Sequence, residues 1–208
     1  MDIALSWDYA ESFVPETETI LATRLAAIEV GAGPVSAGIG STLRVLARAI
    51  NARSVFEVGT GCGVSGLYLL EGMNESGMLT SVEIEGEFQR LARSAFLGAG
   101  YSPSRMRLFG GRALDLMPRM NTGAYDMVVL DGDPEEMPYY ALHAARMLRS
   151  GGVLACVHAL WGGAVADPAR RDMVTLGMRE TGRELLGPLG FIPCLLPVGD
   201  GLLVAVKP

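Results

Sequence analysis

The run Glu57-Val58-Gly59-Thr60-Gly61-Cys62-Gly63-Val64-Ser65-Gly66 constrains this chain more than any other feature. It follows a short apolar stretch, Ser54–Val58, and leads into a segment with helical apolar spacing. Glycines at this density let a backbone turn sharply and approach a ligand closely, and the helix that follows offers unpaired N–H groups. A chain that leaves a buried strand through such a turn is built from strand–turn–helix units. The remainder keeps that rhythm. Apolar runs at Ser54–Val58, Met78–Glu83, Met106–Phe109, Met127–Asp131 and Gly152–Val157 alternate with amphipathic stretches of helical length. Buried strands alternating with helices give a parallel sheet covered on both faces.

The two ends differ from this middle. The first fifty residues read as helical, with one helix starting at Pro15 and carrying Ile20, Leu21, Leu25 and Ile28, and a second from about Gly40 to Ala49. At the other end, Phe191–Leu196 and Leu202–Val206 flank Gly199-Asp200-Gly201 and read as a hairpin, so the last strand runs antiparallel. A final helix is expected to start at Asp167-Pro168, an N-cap followed by proline. The expectation is one domain over residues 1–208, with N-terminal helices over 1–51 and a ligand-binding core over 52–208.

Composition removes several functions. A net charge of −6 and only 17 basic residues, unclustered, argue against a nucleic-acid partner. Three cysteines, Cys62, Cys156 and Cys194, fall far short of a disulfide framework and show no C-x-x-C spacing. No apolar run has the ~20 residues needed to span a bilayer, and the start lacks the basic and apolar pattern of a secretion signal. The expectation is a cytoplasmic protein with no membrane association.

The glycine turn fits two frames. Gly61-Cys62-Gly63-Val64-Ser65-Gly66 matches the dinucleotide G-x-G-x-x-G, with Glu83 twenty residues after Gly63. That frame makes the protein a nicotinamide-dependent dehydrogenase. The longer frame, Glu-x-Gly-x-Gly-x-Gly, brings Glu57 into the site, where a carboxylate would repel a pyrophosphate and attract a cation. S-adenosylmethionine carries an ammonium and a sulfonium and no phosphate, and Glu83 at the next strand end suits a ribose diol.

Further segments follow in order: Gly110-Gly111-Arg112-Ala113-Leu114-Asp115-Leu116, then Tyr125–Asp133, then Leu148-Arg149-Ser150-Gly151-Gly152. With the glycine turn and Leu79–Glu83, this series resembles the class I S-adenosylmethionine-dependent methyltransferases, and within them the catechol and caffeoyl-CoA O-methyltransferase group. The resemblance covers about Val35 to Lys207. It implies a Rossmann-like methyltransferase fold: a seven-stranded, mostly parallel sheet of order 3-2-1-4-5-7-6 with a C-terminal antiparallel hairpin. It also implies a homodimer and methyl transfer to a small hydroxylated, aromatic acceptor. For the donor, it implies contacts from Glu57, Gly59, Gly63 and Ser65 at the methionine end and from Glu83 at the ribose. Ile84, Gly111, Arg112 and Ala113 then lie around the adenine, with Asp131 near the donor's amino group.

The catalytic positions depart from the group. There, a divalent cation held by an Asp and an Asp-Asn pair orients the acceptor, and a lysine takes the proton. Asp131 matches the first ligand. Val157 and His158 stand at the Asp-Asn pair, and Pro134 stands at the lysine. The chain's single lysine is Lys207. Three readings of His158 stay open: a metal ligand with Asp131 in a mixed N/O shell, a general base beside Asp131, or a hydrogen-bonded residue in a pocket that has lost its ion. Asp133 offers a further carboxylate. A non-catalytic donor-binding protein, acting as sensor or inactive partner, follows from the third reading. Trp161 is expected to wall the acceptor pocket or pack beneath its loop. Trp7, Tyr9 and Phe13 are expected to cover the site or meet a partner subunit, and Tyr139 and Tyr140 to lie in a helix core.

Overall fold

The computed structural model describes residues 2–208. Three helices come first: α1 (Ile3–Ser12), α2 (Glu18–Glu29) and α3 (Ala37–Ala49). The core then alternates β1 (Ser54–Val58), α4 (Val64–Gly72), β2 (Met78–Glu83), α5 (Gly86–Gly98), β3 (Met106–Gly110), α6 (Ala113–Leu116), β4 (Tyr125–Leu130), α7 (Met137–Met147) and β5 (Leu148–Cys156). It closes with α8 (Met173–Leu186), β6 (Ile192–Leu196) and β7 (Leu202–Val206). The seven strands form one sheet in the order β3-β2-β1-β4-β5-β7-β6. The pairings from β3 through β5 are parallel, and those of β7 with β5 and β6 are antiparallel. This is the expected topology.

The sheet divides the core in two. Val55, Leu79, Met127, Val129 and Val153 face α3 and α4 residues such as Leu43, Leu67 and Tyr68. Phe56, Val58, Val128, Leu130 and Leu154 face Tyr140, Ala141, Ala144 and Leu185 from α7 and α8. Both faces are apolar because both are covered, which is why the strands read as continuous apolar runs rather than alternating ones. No helix among the described residues is long and apolar enough to cross a membrane.

Several boundaries differ from expectation, each for a local reason. The helix expected from Pro15 starts at Glu18, because the Thr17 side chain accepts from Ile20 N and caps it; an additional helix, α1, precedes it, capped by Asp2. The helix expected from about Gly40 begins at Ala37 behind the cap Ser36. The last helix starts at Met173 with Asp172 as cap, whereas Asp167 closes a turn onto Ala169 N. Arg179 of α8 keeps that segment out of the helix. Its guanidinium donates to the carbonyls of Ala164, Val165, Asp167 and Arg170, four acceptors that a helix would have used internally. Cys194, within the apolar run read as a hairpin strand, is exposed because β6 is the sheet edge. Tyr139 is also exposed, while Tyr140 is buried as expected.

Candidate active site

The carboxyl ends of β1, β2 and β4 open onto a cleft of about 430 Å³, the place where parallel α/β sheets bind ligands. Its floor is the glycine turn. Gly59 N and Thr60 N both donate to Val82 O, tying the turn to the end of β2. Gly59 has φ +83°, and a Cβ there would fall 1.9 Å from Asp131 O, so only glycine lets β1 pass the end of β4. Gly63, with φ +100°, caps α4 without a side chain. A Cβ on Gly61 or Gly111 would meet nothing, since both border the open cleft.

Two carboxylates stand over this floor. Glu83 is buried; its Oε2 accepts from Gly61 N at 2.7 Å and its Oε1 from Glu85 N at 3.0 Å. Each oxygen keeps a second lone pair for a ligand hydroxyl. Asp131 follows β4 and lines the same cleft. Burial raises its pKa to about 6; the His158 ring lowers it, and the Glu83 charge adds to the rise.

Glu57, expected at the methionine end, does not line the cleft. It is fully buried beneath the turn, with Oε1 accepting from Ser65 Oγ at 2.7 Å and Oε2 from Ser81 Oγ at 2.6 Å. Thr60 Oγ1 and Ser81 Oγ share a further hydrogen bond of 2.5 Å. Glu57 therefore reaches the cleft only through Ser65 and Thr60, which do line it. Burial drives its pKa from 4.5 to about 7 against the two hydroxyls that lower it. Gly63 likewise lies behind the lining. Gly59, Ser65, Glu83, Ile84, Gly111, Arg112, Ala113 and Asp131 all line the cleft as expected. Glu136 was not anticipated. It pairs with Arg112 and accepts from the Tyr140 hydroxyl at 2.6 Å, closing one side. Its only signal in the sequence is a place in the acidic run Asp133-Pro134-Glu135-Glu136.

His158 stands beside Asp131, as the sequence suggested, but by an unexpected route. Leu130 of β4 is level with Cys156 of β5, so Asp131 is level with the buried Val157. The chain then turns at His158, which adopts φ +57°, and this brings Nε2 to 3.6 Å from Asp131 Oδ1. A non-glycine residue in that region costs about 1–3 kcal/mol and persists only where its surroundings enforce it. The enforcing partner is Asp200, whose Oδ2 lies 3.2 Å from His158 Nδ1. The sequence marked Asp200 only as a hairpin turn residue. Trp161 meets the His158 ring edge to face at 6.4 Å.

The donor set does not fit the group's divalent cation. Val157, level with Asp131, is buried and apolar, and Asp133 caps a turn through Glu135 N. Asp200 spends its two oxygens on His158 and Gly162 N. Among the described residues, no group of three or more His, Cys, Asp or Glu is arranged to hold a metal ion. The proposed pair of ligands thus gains no third. Lys207 is no substitute base. Its Nζ donates to Ala145 O and Leu148 O, away from the cleft.

A family model described as O-methyltransferase matches residues 18–208. The chain belongs to this O-methyltransferase family. It is 43% identical over 201 residues to a probable O-methyltransferase of Mycobacterium tuberculosis, covering 97% of this chain and 90% of the relative. A solved protein of Corynebacterium glutamicum superposes with a TM-score of 0.90 at 31% identity, covering 98% and 96% of the two chains. The O-methyltransferase TomG of Streptomyces achromogenes, solved in complex with S-adenosylmethionine, superposes at 0.88 with 29% identity, covering 100% of this chain and 99% of that one. Family and fold agree on an O-methyltransferase.

Proposed function

We propose that this O-methyltransferase binds S-adenosylmethionine in the cleft and methylates a hydroxyl of a small aromatic acceptor, with His158 as the base. The observation that carries the reading is the pairing of two strand-end carboxylates, Glu83 and Asp131, across a glycine turn open to the cleft. Such a cleft attracts a cationic donor with a ribose diol and repels the pyrophosphate of a nicotinamide dinucleotide. The S-adenosylmethionine complex of TomG, a full-length structural neighbour, supports the same donor. When bound, the donor supplies an electrophilic methyl: an acceptor oxygen pair forms the new O–CH3 bond, and the S–CH3 pair returns to sulfur, leaving S-adenosylhomocysteine.

The chain's residues do the rest. Ser65, held by Glu57, and Asp131 address the methionine end; Glu83 takes the ribose, with Ile84, Gly111, Arg112 and Ala113 around the adenine. His158 Nε2 takes the acceptor's hydroxyl proton and passes it to solvent, since its side chain is 38% exposed. No step needs the group's lysine or its ion. A homodimer is part of the proposal, supported by Ile3, Leu5, Trp7, Tyr9 and Phe13 of the N-terminal segment, all more than half exposed. Cytoplasmic action is supported by three free cysteines with no disulfide among them.

Calorimetric titration with S-adenosylhomocysteine, in chelator and then with Mg or Mn, tests the donor site. Saturable binding unchanged by metal is expected, and no binding in either condition overturns the assignment. Turnover of a panel of phenols and catechols that survives chelator and is lost in His158→Gln supports the base. Donor binding with no turnover on any acceptor favours the sensor reading, to which Pro134 and Val157 at the group's catalytic positions would then belong. Light scattering at micromolar concentration checks the dimer.

A further inference from the structure

Asp200 lies in the loop between β6 and β7, forty-two positions from His158 in sequence and in direct contact with it. The contact is built rather than incidental. Leu160 N donates to Asp200 O at 2.9 Å and Ala159 N to Gly201 O at 3.0 Å, so the hairpin loop is laced to the turn that follows β5. From the other side, Glu11 of α1 accepts from Gly199 N at 2.6 Å and from Gly38 N at 2.8 Å, fixing the loop against the start of α3. The side chain itself is oriented by Gly162 N, which donates to Oδ1 at 2.7 Å and leaves Oδ2 facing His158 Nδ1.

We propose that Asp200 is the positioning residue of the acceptor base: it holds the proton of His158 on Nδ1 and so leaves Nε2, the nitrogen on the Asp131 side, free to accept one. This rests on the reading of His158 as base given above. A carboxylate can only accept, so the ring nitrogen within hydrogen-bond distance of one carries the hydrogen: that is Nδ1, 3.2 Å from Asp200 Oδ2, and not Nε2, whose 3.6 Å to Asp131 Oδ1 is too long for a hydrogen bond. The Nε2 of the neutral imidazole is then free to take a proton. Without that constraint the ring could carry its hydrogen on Nε2, on the Asp131 side, and an N–H cannot accept the acceptor's proton. The left-handed backbone at His158 and the Trp161 ring set the imidazole's place; Asp200 sets which face of its chemistry is offered.

Asp200→Asn is the informative variant because the neighbouring donor decides how it sits. Gly162 N requires an oxygen, so the amide places its carbonyl there and its NH2 against Nδ1. The tautomer is then reversed with almost no change in shape. The chain has two histidines, and His143→Gln removes the other one, so the His158 ring is read alone by long-range 1H–15N correlation at a pH where imidazole is neutral.

In the His143→Gln background, Nδ1 is expected to show the protonated-type shift and Nε2 the unprotonated one, and Asp200→Asn is expected to exchange them. S-adenosylhomocysteine affinity should stay within about twofold, since Asp200 does not line the donor cleft. An Nε2–H tautomer in the protein that retains Asp200 overturns the proposal without need of the variant. So does an Asp200→Asn protein whose tautomer is unmoved. Loss of S-adenosylhomocysteine binding in every form would instead sink the donor reading while leaving the tautomer result standing.

Discussion

Glu57 offers a sharp test of the electrostatics under the cleft. Its carboxyl is fully buried and titrates at about 7 rather than 4.5, so the fold favours the neutral form. A raised carboxylate value makes this contribution to stability complete below pH 4.5, and it is lost as pH climbs to about 7. Above that both states are ionised and nothing further changes. At 1.36 kcal/mol per pH unit the span amounts to about 3 kcal/mol. Glu57→Gln keeps the shape but cannot ionise; its oxygen accepts from one serine hydroxyl and its NH2 donates to the other. Urea denaturation of both proteins from pH 4.5 to 8 isolates the effect, because groups that do not interact with Glu57 cancel in the difference, leaving Glu57 with its charge coupling to Asp131 and Glu83. The variant should gain on the wild type by about 3 kcal/mol across that window, with most of the gain between pH 5 and 7. A difference that stays flat would show that Glu57 ionises in the fold at its ordinary value, and that the Ser65 and Ser81 hydroxyls offset desolvation.

Three other outcomes follow from particular contacts. Gly59→Ala must relieve both a 1.9 Å approach to Asp131 O and a φ of +83°; about 3 kcal/mol of stability should go, with S-adenosylhomocysteine binding lost, by denaturation and calorimetry. Arg179→Ala frees four carbonyls of the 164–170 segment, and trypsin should then cut at Arg170 or Arg171 many times faster while α8 stays folded. Lys207→Met should cost about 2 kcal/mol through the carbonyls of Ala145 and Leu148, with no change in the turnover of any acceptor that the wild type methylates.

Local chemistry made the layout legible in advance. Strands buried on both faces write themselves as continuous apolar runs, turns need glycine at Gly59 and Gly63, and carboxylates at strand ends fall at readable positions such as Glu83 and Asp131. That was enough for the sheet order, by resemblance, and for eight residues of the cleft lining. Helix starts were less legible, because Pro15 and Asp167-Pro168 satisfy the same local rules as the true caps Thr17 and Asp172. At the last helix, the choice was made by Arg179 reaching back over a distance no local pattern records.

The site's chemistry was decided later still. Sequence placed Glu57 in the site by its motif, yet the direction of its side chain depends on Ser81 in the neighbouring strand, and that turned it under the floor. Sequence likewise placed His158 beside Asp131, since parallel strands in register end side by side. It could not supply Asp200, because a hairpin loop and a strand end meet only after the antiparallel β7 has inserted between β5 and β6. One strand crossing over another joins residues remote in the chain, and the contact of His158 with Asp200 depends on that junction.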